Sequence, residues 1–205
     1  MTVKKQFKNI IFDVGDVLLS YRWKEMLMDY GLDENEAQKV GELIFDDDEK
    51  LWTFFDLGTV SEEELIAMYA KKHPAFGEVI GWFIRHGEFM HVPRPKVWKR
   101  VHELKQKGYG IYILSNYSEV LFNKHTRYAD FLEDADGILV SYMVNKIKPD
   151  FAIYEELLNR FSLKKEECIF FDDRKENVDA ANDFGIHAVR VLSQEGLLKD
   201  LEMFG

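Results

Sequence analysis

Four short apolar runs, at residues 10–12, 111–114, 138–140 and 169–171, punctuate the chain, and a fifth at 188–192 is interrupted by Arg190. Their lengths suit buried strands. Between them the apolar positions recur at helical spacing. In RPKVWKRVHELKQKG, Val97, Val101 and Leu104 share one face and Gly108 stops the pattern. In FAIYEELLNRF, Ile153, Leu157 and Leu158 point inward, and ENVDAANDFG closes on Gly185 in the position that ends a helix. Strand alternating with helix predicts an α/β fold, a Rossmann-like parallel sheet covered on both faces.

Residues 20–92 break this rhythm. They hold no clear strand run and predict helices over 23–30, 34–45, 61–72 and 76–89. Ser61 followed by Glu64 is a capping-box start. Trp23, Trp52 and Trp82 lie here, and aromatic stripes at helical spacing are read as the core of a small bundle. Pro93 and Pro95 mark the return to the sheet. The expected organisation is an α/β core, 1–19 and 93–205, with a helical module at 20–92 inserted after the first strand.

Composition narrows the class. The 205 residues are 46% hydrophobic and 31% charged, as in ordinary globular proteins. A formal net charge of −10 argues against nucleic acid and anionic membrane as partners. The single cysteine, Cys168, excludes an intrachain disulfide, suggests a reducing compartment and reads as a small buried residue. The basic start MTVKKQFKNIIFDVGDVLL lacks a signal-peptide core because Asp13 and Asp16 interrupt it, so a cytoplasmic location is expected. The six histidines show no metal spacing, and the acidic run 46–49 reads as a solvated loop. Nothing in the pattern sets the oligomeric state.

Ligands of open parallel sheets bind beyond the carboxyl ends of the strands. The first strand delivers Asp13 there, with Gly15 two residues on. The second delivers Ser115 and Asn116, and the fourth delivers Asp172 and Asp173. KIKPD places Lys148 just before Pro149. Plainer readings exist for several of these. Asp173 with Glu176 resembles a capping box, Ser115 and Asn116 suit a helix cap, and a lone lysine is usually solvated. Asp13 is harder to dismiss in this way, because an apolar strand has no structural need for a charge at its tip. If the first and fourth strands are neighbours, Asp13, Asp172 and Asp173 converge. Close carboxylates raise one another's pKa unless a cation intervenes, and hard oxygen ligands suit Mg²⁺. Lys148 and the Ser115 hydroxyl then offer the charge and the donor that a phosphoryl group needs.

The order FDVGDVL, ILSN, KIKPD, FFDDRKEN resembles the four motifs of the haloacid dehalogenase (HAD) superfamily, over the whole chain. Segment 20–92 resembles the helical cap inserted after the first motif in its phosphatase and phosphoglucomutase branches. FDLGTVSEEEL (55–65) resembles their glycine turn followed by a helix. The likeness extends to subfamily IA proteins described as α-D-glucose-1-phosphate phosphatase-like, which share the glycine, the paired aspartates and the following asparagine. The resemblance implies a Mg²⁺-dependent phosphoric monoester hydrolase acting on a small phosphorylated metabolite, a sugar phosphate, through an aspartyl-phosphate. It makes Asp13 the nucleophile and a Mg²⁺ ligand, with the Gly15 carbonyl and Asp173 as further ligands. Asp172 would orient a metal-bound water or lie in the outer shell. Ser115, the amide of Asn116 and Lys148 would hold the phosphoryl group.

One position departs from the pattern. Most phosphatases of the superfamily carry a second aspartate where this chain has Gly15, and that aspartate protonates the leaving group. Gly15 keeps a carbonyl for metal and the freedom to turn sharply. Loss of an acid–base group costs about 10²–10⁴ in rate, least with acidic leaving groups such as an anomeric hydroxyl. Asp16 and the residues of the insertion are the available replacements. Two other readings stand beside the phosphatase. A 2-haloacid dehalogenase also lacks the second aspartate but gives Asp172 and Asp173 no cation to hold. A non-catalytic phosphate-ligand-binding protein is at odds with the four other intact motif positions.

Overall fold

A computed structural model of the chain describes residues 7–205, so positions 1–6 of the expected core lie outside the described residues. The central sheet has five strands: β1 Asn9–Phe12, then, after two short strands, β4 Gly110–Ser115, β5 Gly137–Val140, β6 Cys168–Asp172 and β7 His187–Arg190. The short strands are β2 Leu19–Tyr21 and β3 His91–Pro93. The sheet order is β5-β4-β1-β6-β7 and all pairings are parallel. Each of the five apolar runs therefore forms a strand, and the first and fourth are neighbours as the site requires.

Alternation sorts the strand residues onto two covered faces. Ile10, Phe12, Ile111, Ile113, Ile169 and Phe171 pack into one apolar cluster. Ile11, Leu114, Leu139, Cys168 and Phe170 pack into the other. Helix α6 (Pro95–Gln106) covers the first face with Val97, Val101 and Leu104. Helix α9 (Phe151–Phe161) covers the second with Ile153, Tyr154 and Leu157, while the expected Leu158 is only half-buried. Helix α10 (Lys175–Phe184) joins it and ends on Gly185 at φ +101, a left-handed cap that glycine adopts freely.

Between β2 and β3 lie five helices: α1 Trp23–Tyr30, α2 Glu34–Phe45, α3 Leu51–Asp56, α4 Glu62–Lys72 and α5 Gly77–Arg85. The Ser61–Glu64 capping box forms as the spacing predicts. The antiparallel β2–β3 pair, in which Tyr21 faces His91, was not legible as strand, and the expected boundaries at 20 and 92 fall within it. The helix expected over 76–89 ends at Arg85 with His86 as its cap and continues as a 3-10 turn over Gly87–Phe89, whose Gly87 carbonyl accepts from Met90 N at 3.0 Å and from His125 Nε2 at 2.7 Å. The acidic run at 46–49 is not wholly solvated. Asp47 is buried, accepts from Leu51 N at 3.1 Å to start α3, and pairs with Lys72. Cys168 is a buried free thiol, as expected. Among the described residues, no helix is long and apolar enough to cross a membrane.

Phe171 stacks on Phe12 with ring centroids 5.7 Å apart beneath the sheet's carboxyl edge. Phe171→Ala is expected to cost about 3–5 kcal/mol, read from urea unfolding midpoints at unchanged slope. A loss below about 1 kcal/mol would mean that this layer is not a packed core.

Candidate functional site

Register brings the strand tips level. Phe12 is opposite Ile113 on β4 and Phe171 on β6, so the residues that follow meet at one edge. Asp13 leaves β1 with its amide on the Phe171 carbonyl at 2.9 Å, and only 7% of it is exposed. Its Oδ1 accepts from Ser115 Oγ at 2.6 Å and from Lys148 Nζ at 2.8 Å.

Lys148 precedes α9 and is 4% exposed, so the reading of it as a solvated lysine fails. Its ammonium also donates to Asp172 Oδ2 at 2.6 Å and to the Leu114 carbonyl at 3.0 Å, which uses all three protons. Asn116 holds its backbone in a reciprocal pair, donating to the Lys148 carbonyl and accepting from the Lys148 amide, both at 2.9 Å. The capping reading of Ser115 and Asn116 fails too. The following helix, α7 Glu119–Thr126, is capped by Ser118, which accepts from Leu121 N at 3.3 Å.

Asp172 is fully buried at the end of β6. Besides Lys148, it accepts from Arg174 N at 2.8 Å and from Asn177 Nδ2 at 3.0 Å. Asp173 is half-buried, and among the described residues no donor reaches its carboxylate. It does not cap α10. Arg174 occupies that position without a side-chain bond, and Glu176 pairs with Arg174 at 2.7 Å. One oxygen from each of Asp13, Asp172 and Asp173 lies within 4.8 Å of the others. Beside Asp173 a cleft of about 280 Å³ opens, lined by Asp16, Arg94, Arg190, Val191 and Leu192.

The electrostatics follow from three carboxylates and one ammonium at the edge of a dry core. Burial pushes the Asp13 carboxyl up, Lys148 opposes this, and Asp172 adds to it. Burial, reinforced by Asp13 and Asp172, pushes Asp173 up to about 7. Burial alone would weaken the Lys148 ammonium, but Asp13 and Asp172 reverse that and hold its pKa above the usual value. The donor set fits a hard divalent cation. Asp172 is saturated by internal donors, whereas Asp173, one oxygen of Asp13 and the Gly15 carbonyl are not engaged by donors among the described residues.

Gly15 is glycine for a reason the sequence reading did not reach. The positive φ in this loop, +49, belongs to Asp16 and not to Gly15. A Cβ at position 15 would lie 2.7 Å from the Tyr21 ring edge and 2.7 Å from its hydroxyl, so what is needed there is room. Asp16 accepts from Tyr21 N at 3.2 Å beside Arg94 and lines the cleft next to Asp173. Asp56, at the end of α3, was also missed as an individual residue. Its carbonyl accepts from Ser141 Oγ, and the Ser118 backbone lies beside its carboxylate. Burial pushes that carboxyl up to about 7 against Arg174 and Ser118, and Asp13 raises it further. Only its place before the Gly58 turn, within a segment already noticed, hinted at it.

Residues 7–185 match the haloacid dehalogenase-like hydrolase family. A sesquiterpene phosphatase of Aspergillus oryzae is 26% identical over 181 residues, covering 88% of this chain and 87% of the relative. A HAD family enzyme of Bacteroides thetaiotaomicron, solved with magnesium and inorganic phosphate, superposes with a TM-score of 0.71 at 18% identity, over 92% of this chain and 96% of that one. An L-2-haloacid dehalogenase of Xanthobacter autotrophicus with chloropropionic acid covalently bound gives 0.65 at 17% identity, over 96% and 82%. At these identities the two structures attest a shared fold.

Two outcomes follow from the charges. A folded-state carboxyl pKa raised above the unfolded value means that the native state binds the extra proton, so metal-free stability falls as pH climbs from about 4 to about 7. Mg²⁺ is expected to raise the thermal midpoint at pH 8 and much less at pH 5.5, and Asp173→Asn to abolish the difference. Equal shifts at both pH values would contradict this. Lys148→Met leaves two buried carboxylates without their cation and is expected to cost about 3–5 kcal/mol at pH 8 without divalent ions, and less at pH 5, by chemical denaturation.

Proposed function

Because the chain belongs to the haloacid dehalogenase-like hydrolases, we propose that it is a Mg²⁺-dependent phosphatase, hydrolysing small phosphorylated metabolites through an aspartyl-phosphate at Asp13. The observation that carries this reading is the meeting of Asp13, Ser115, Lys148 and Asp173 at one strand edge, beside a small cleft. Asp13, Asp173 and the Gly15 carbonyl are the residues that would hold the cation. When bound, it neutralises carboxylate charge and polarises the phosphoryl oxygens.

The protein's own groups do the rest. Burial and the donors on Oδ1 fix the Asp13 carboxylate for in-line attack on phosphorus. The Asn116 backbone amide would donate to the transferring group, and the Ser115 hydroxyl and the Lys148 ammonium, which in its absence donate to Asp13 Oδ1, would turn a donor to its oxygens and stabilise the charge that spreads over them. Asn116 acts a second time by clamping the Lys148 backbone. Asp172 takes no part in the transfer and holds Lys148 and the start of α10 in place. On this reading residues 1–19 and 93–205 are the catalytic core, and 20–92 form a helical cap that closes over the substrate and excludes water.

A sugar phosphate, of the α-D-glucose-1-phosphate phosphatase-like kind within subfamily IA, is the proposed substrate class. A site without a carboxylate at position 15 favours leaving groups as acidic as an anomeric hydroxyl. The sesquiterpene phosphatase relative adds prenyl phosphates to the compounds worth testing. A dehalogenase needs no cation and leaves the Asp173 carboxylate without a task.

Purified protein is expected to release phosphate from sugar phosphates or an aryl phosphate only with Mg²⁺. Asp13→Asn is expected to lower turnover by about 10³ or more. Chloride release from 2-chloropropionate without Mg²⁺, or undiminished turnover in Asp13→Asn, would refute the reading.

A further inference from the structure

The volume that a side chain at position 15 would occupy is filled by Tyr21, which arrives from β2. Its ring edge and its hydroxyl each lie 2.7 Å from where a Cβ on Gly15 would stand. The hydroxyl is the head of a buried chain. Tyr21 Oη donates to Tyr117 Oη at 2.5 Å, and Tyr117 Oη lies 2.9 Å from His125 Nδ1. His125 Nε2 lies 2.7 Å from the Gly87 carbonyl.

A carbonyl only accepts, so Nε2 carries the hydrogen. Burial pushes the His125 imidazole down to about 4, so the ring is neutral and Nδ1 accepts. Tyr117 must then donate to Nδ1, and its oxygen accepts from Tyr21. The partners of the chain are themselves held. Tyr117 N donates to Ser141 Oγ at 2.9 Å, and His91 packs against His125 with ring centroids 4.7 Å apart.

We propose that the Tyr21 hydroxyl, standing in the space vacated by Gly15, is the group that protonates the leaving oxygen. The inference rests on the phosphatase reading above and deepens it. In the first half-reaction an Asp13 oxygen forms a bond to phosphorus as the bond to the leaving oxygen breaks. That oxygen keeps the electron pair and takes the proton of Tyr21, whose O–H turns from Tyr117 Oη to reach it. Tyr117 turns its O–H from His125 Nδ1 to the phenolate. In the second half-reaction water adds to phosphorus, its proton returns to the Tyr21 oxygen, and the bond from phosphorus to Asp13 breaks. The carboxylate and the phenol are both restored. Glycine at position 15 and tyrosine at position 21 are, on this account, two halves of one substitution for the missing aspartate.

Leaving-group dependence provides the test. Tyr21→Phe keeps the ring and removes only the hydroxyl. With Mg²⁺, kcat/KM for an alkyl phosphate is expected to fall by about 10²-fold or more, while p-nitrophenyl phosphate, whose leaving group needs no proton, changes by less than about threefold. Equal loss on both esters, or loss on neither, overturns the proposal. So does a selective loss in Asp56→Asn that Tyr21→Phe does not share, since the proton would then come from the helical segment. A second pair of variants is independent of the phenylalanine change. Adding Gly15→Asp to Tyr21→Ala is expected to restore alkyl phosphate turnover relative to Tyr21→Ala alone, and failure to do so in a folded protein counts against it. Wild-type protein inactive on both esters defeats the phosphatase reading itself, whereas the outcomes above, with p-nitrophenyl phosphate still hydrolysed, concern Tyr21 alone.

Discussion

Three carboxylates cannot be gathered at the dry edge of a parallel sheet without a cation, and Lys148 is the cation the chain builds in. Its ammonium donates to Asp13, to Asp172 and to the Leu114 carbonyl, binding β1, β4 and β6 to the loop before α9. Such a buried pair adds little net stability, because desolvation offsets most of the attraction. What it adds is position. With Asp172 saturated and one oxygen of Asp13 committed, the acidity left over concentrates at Asp173 and on the free oxygen of Asp13. That residual charge is what a divalent ion answers, and the Asp173 carboxyl, pushed up by burial first and by Asp13 and Asp172 next, carries part of it.

The same economy of space governs the loop after β1. A side chain at position 15 and the Tyr21 ring compete for one volume, and the chain resolves the conflict in favour of the tyrosine. Arg94 pins this loop from the other side, donating to Ser20 Oγ and to the Asp16 carbonyl, both at 2.6 Å. The β2–β3 pair thus joins the helical segment to the loop that carries Asp13.

The sheet and the acidic tips were legible because their signals are local. Strands buried on both faces appear as uninterrupted apolar runs, and a carboxylate ending such a run has no packing reason to be there. The fates of Lys148 and Tyr21 were not legible alone. Lys148 meets a partner 135 positions away, and Tyr21 meets Tyr117 at a separation of 96. No periodicity records such pairs. The family resemblance placed Lys148 in the site, but the sharp turn expected at Gly15 is not what requires the glycine, since the positive φ falls at Asp16. The reason is a steric contact with a residue from the strand that follows. The β2–β3 pair escaped notice for a related cause, since three-residue strands carry too few positions to show alternation.

Asp13 as the atom donor to phosphorus is the claim on which the functional account turns. Rapid acid quench during turnover of p-nitrophenyl phosphate with Mg²⁺, followed by borohydride reduction and peptide mass spectrometry, examines it directly. Reduction of an aspartyl-phosphate yields homoserine, and the account predicts it at position 13 and nowhere else. Steady turnover with unmodified Asp13, or homoserine at position 172 or 173, would contradict it.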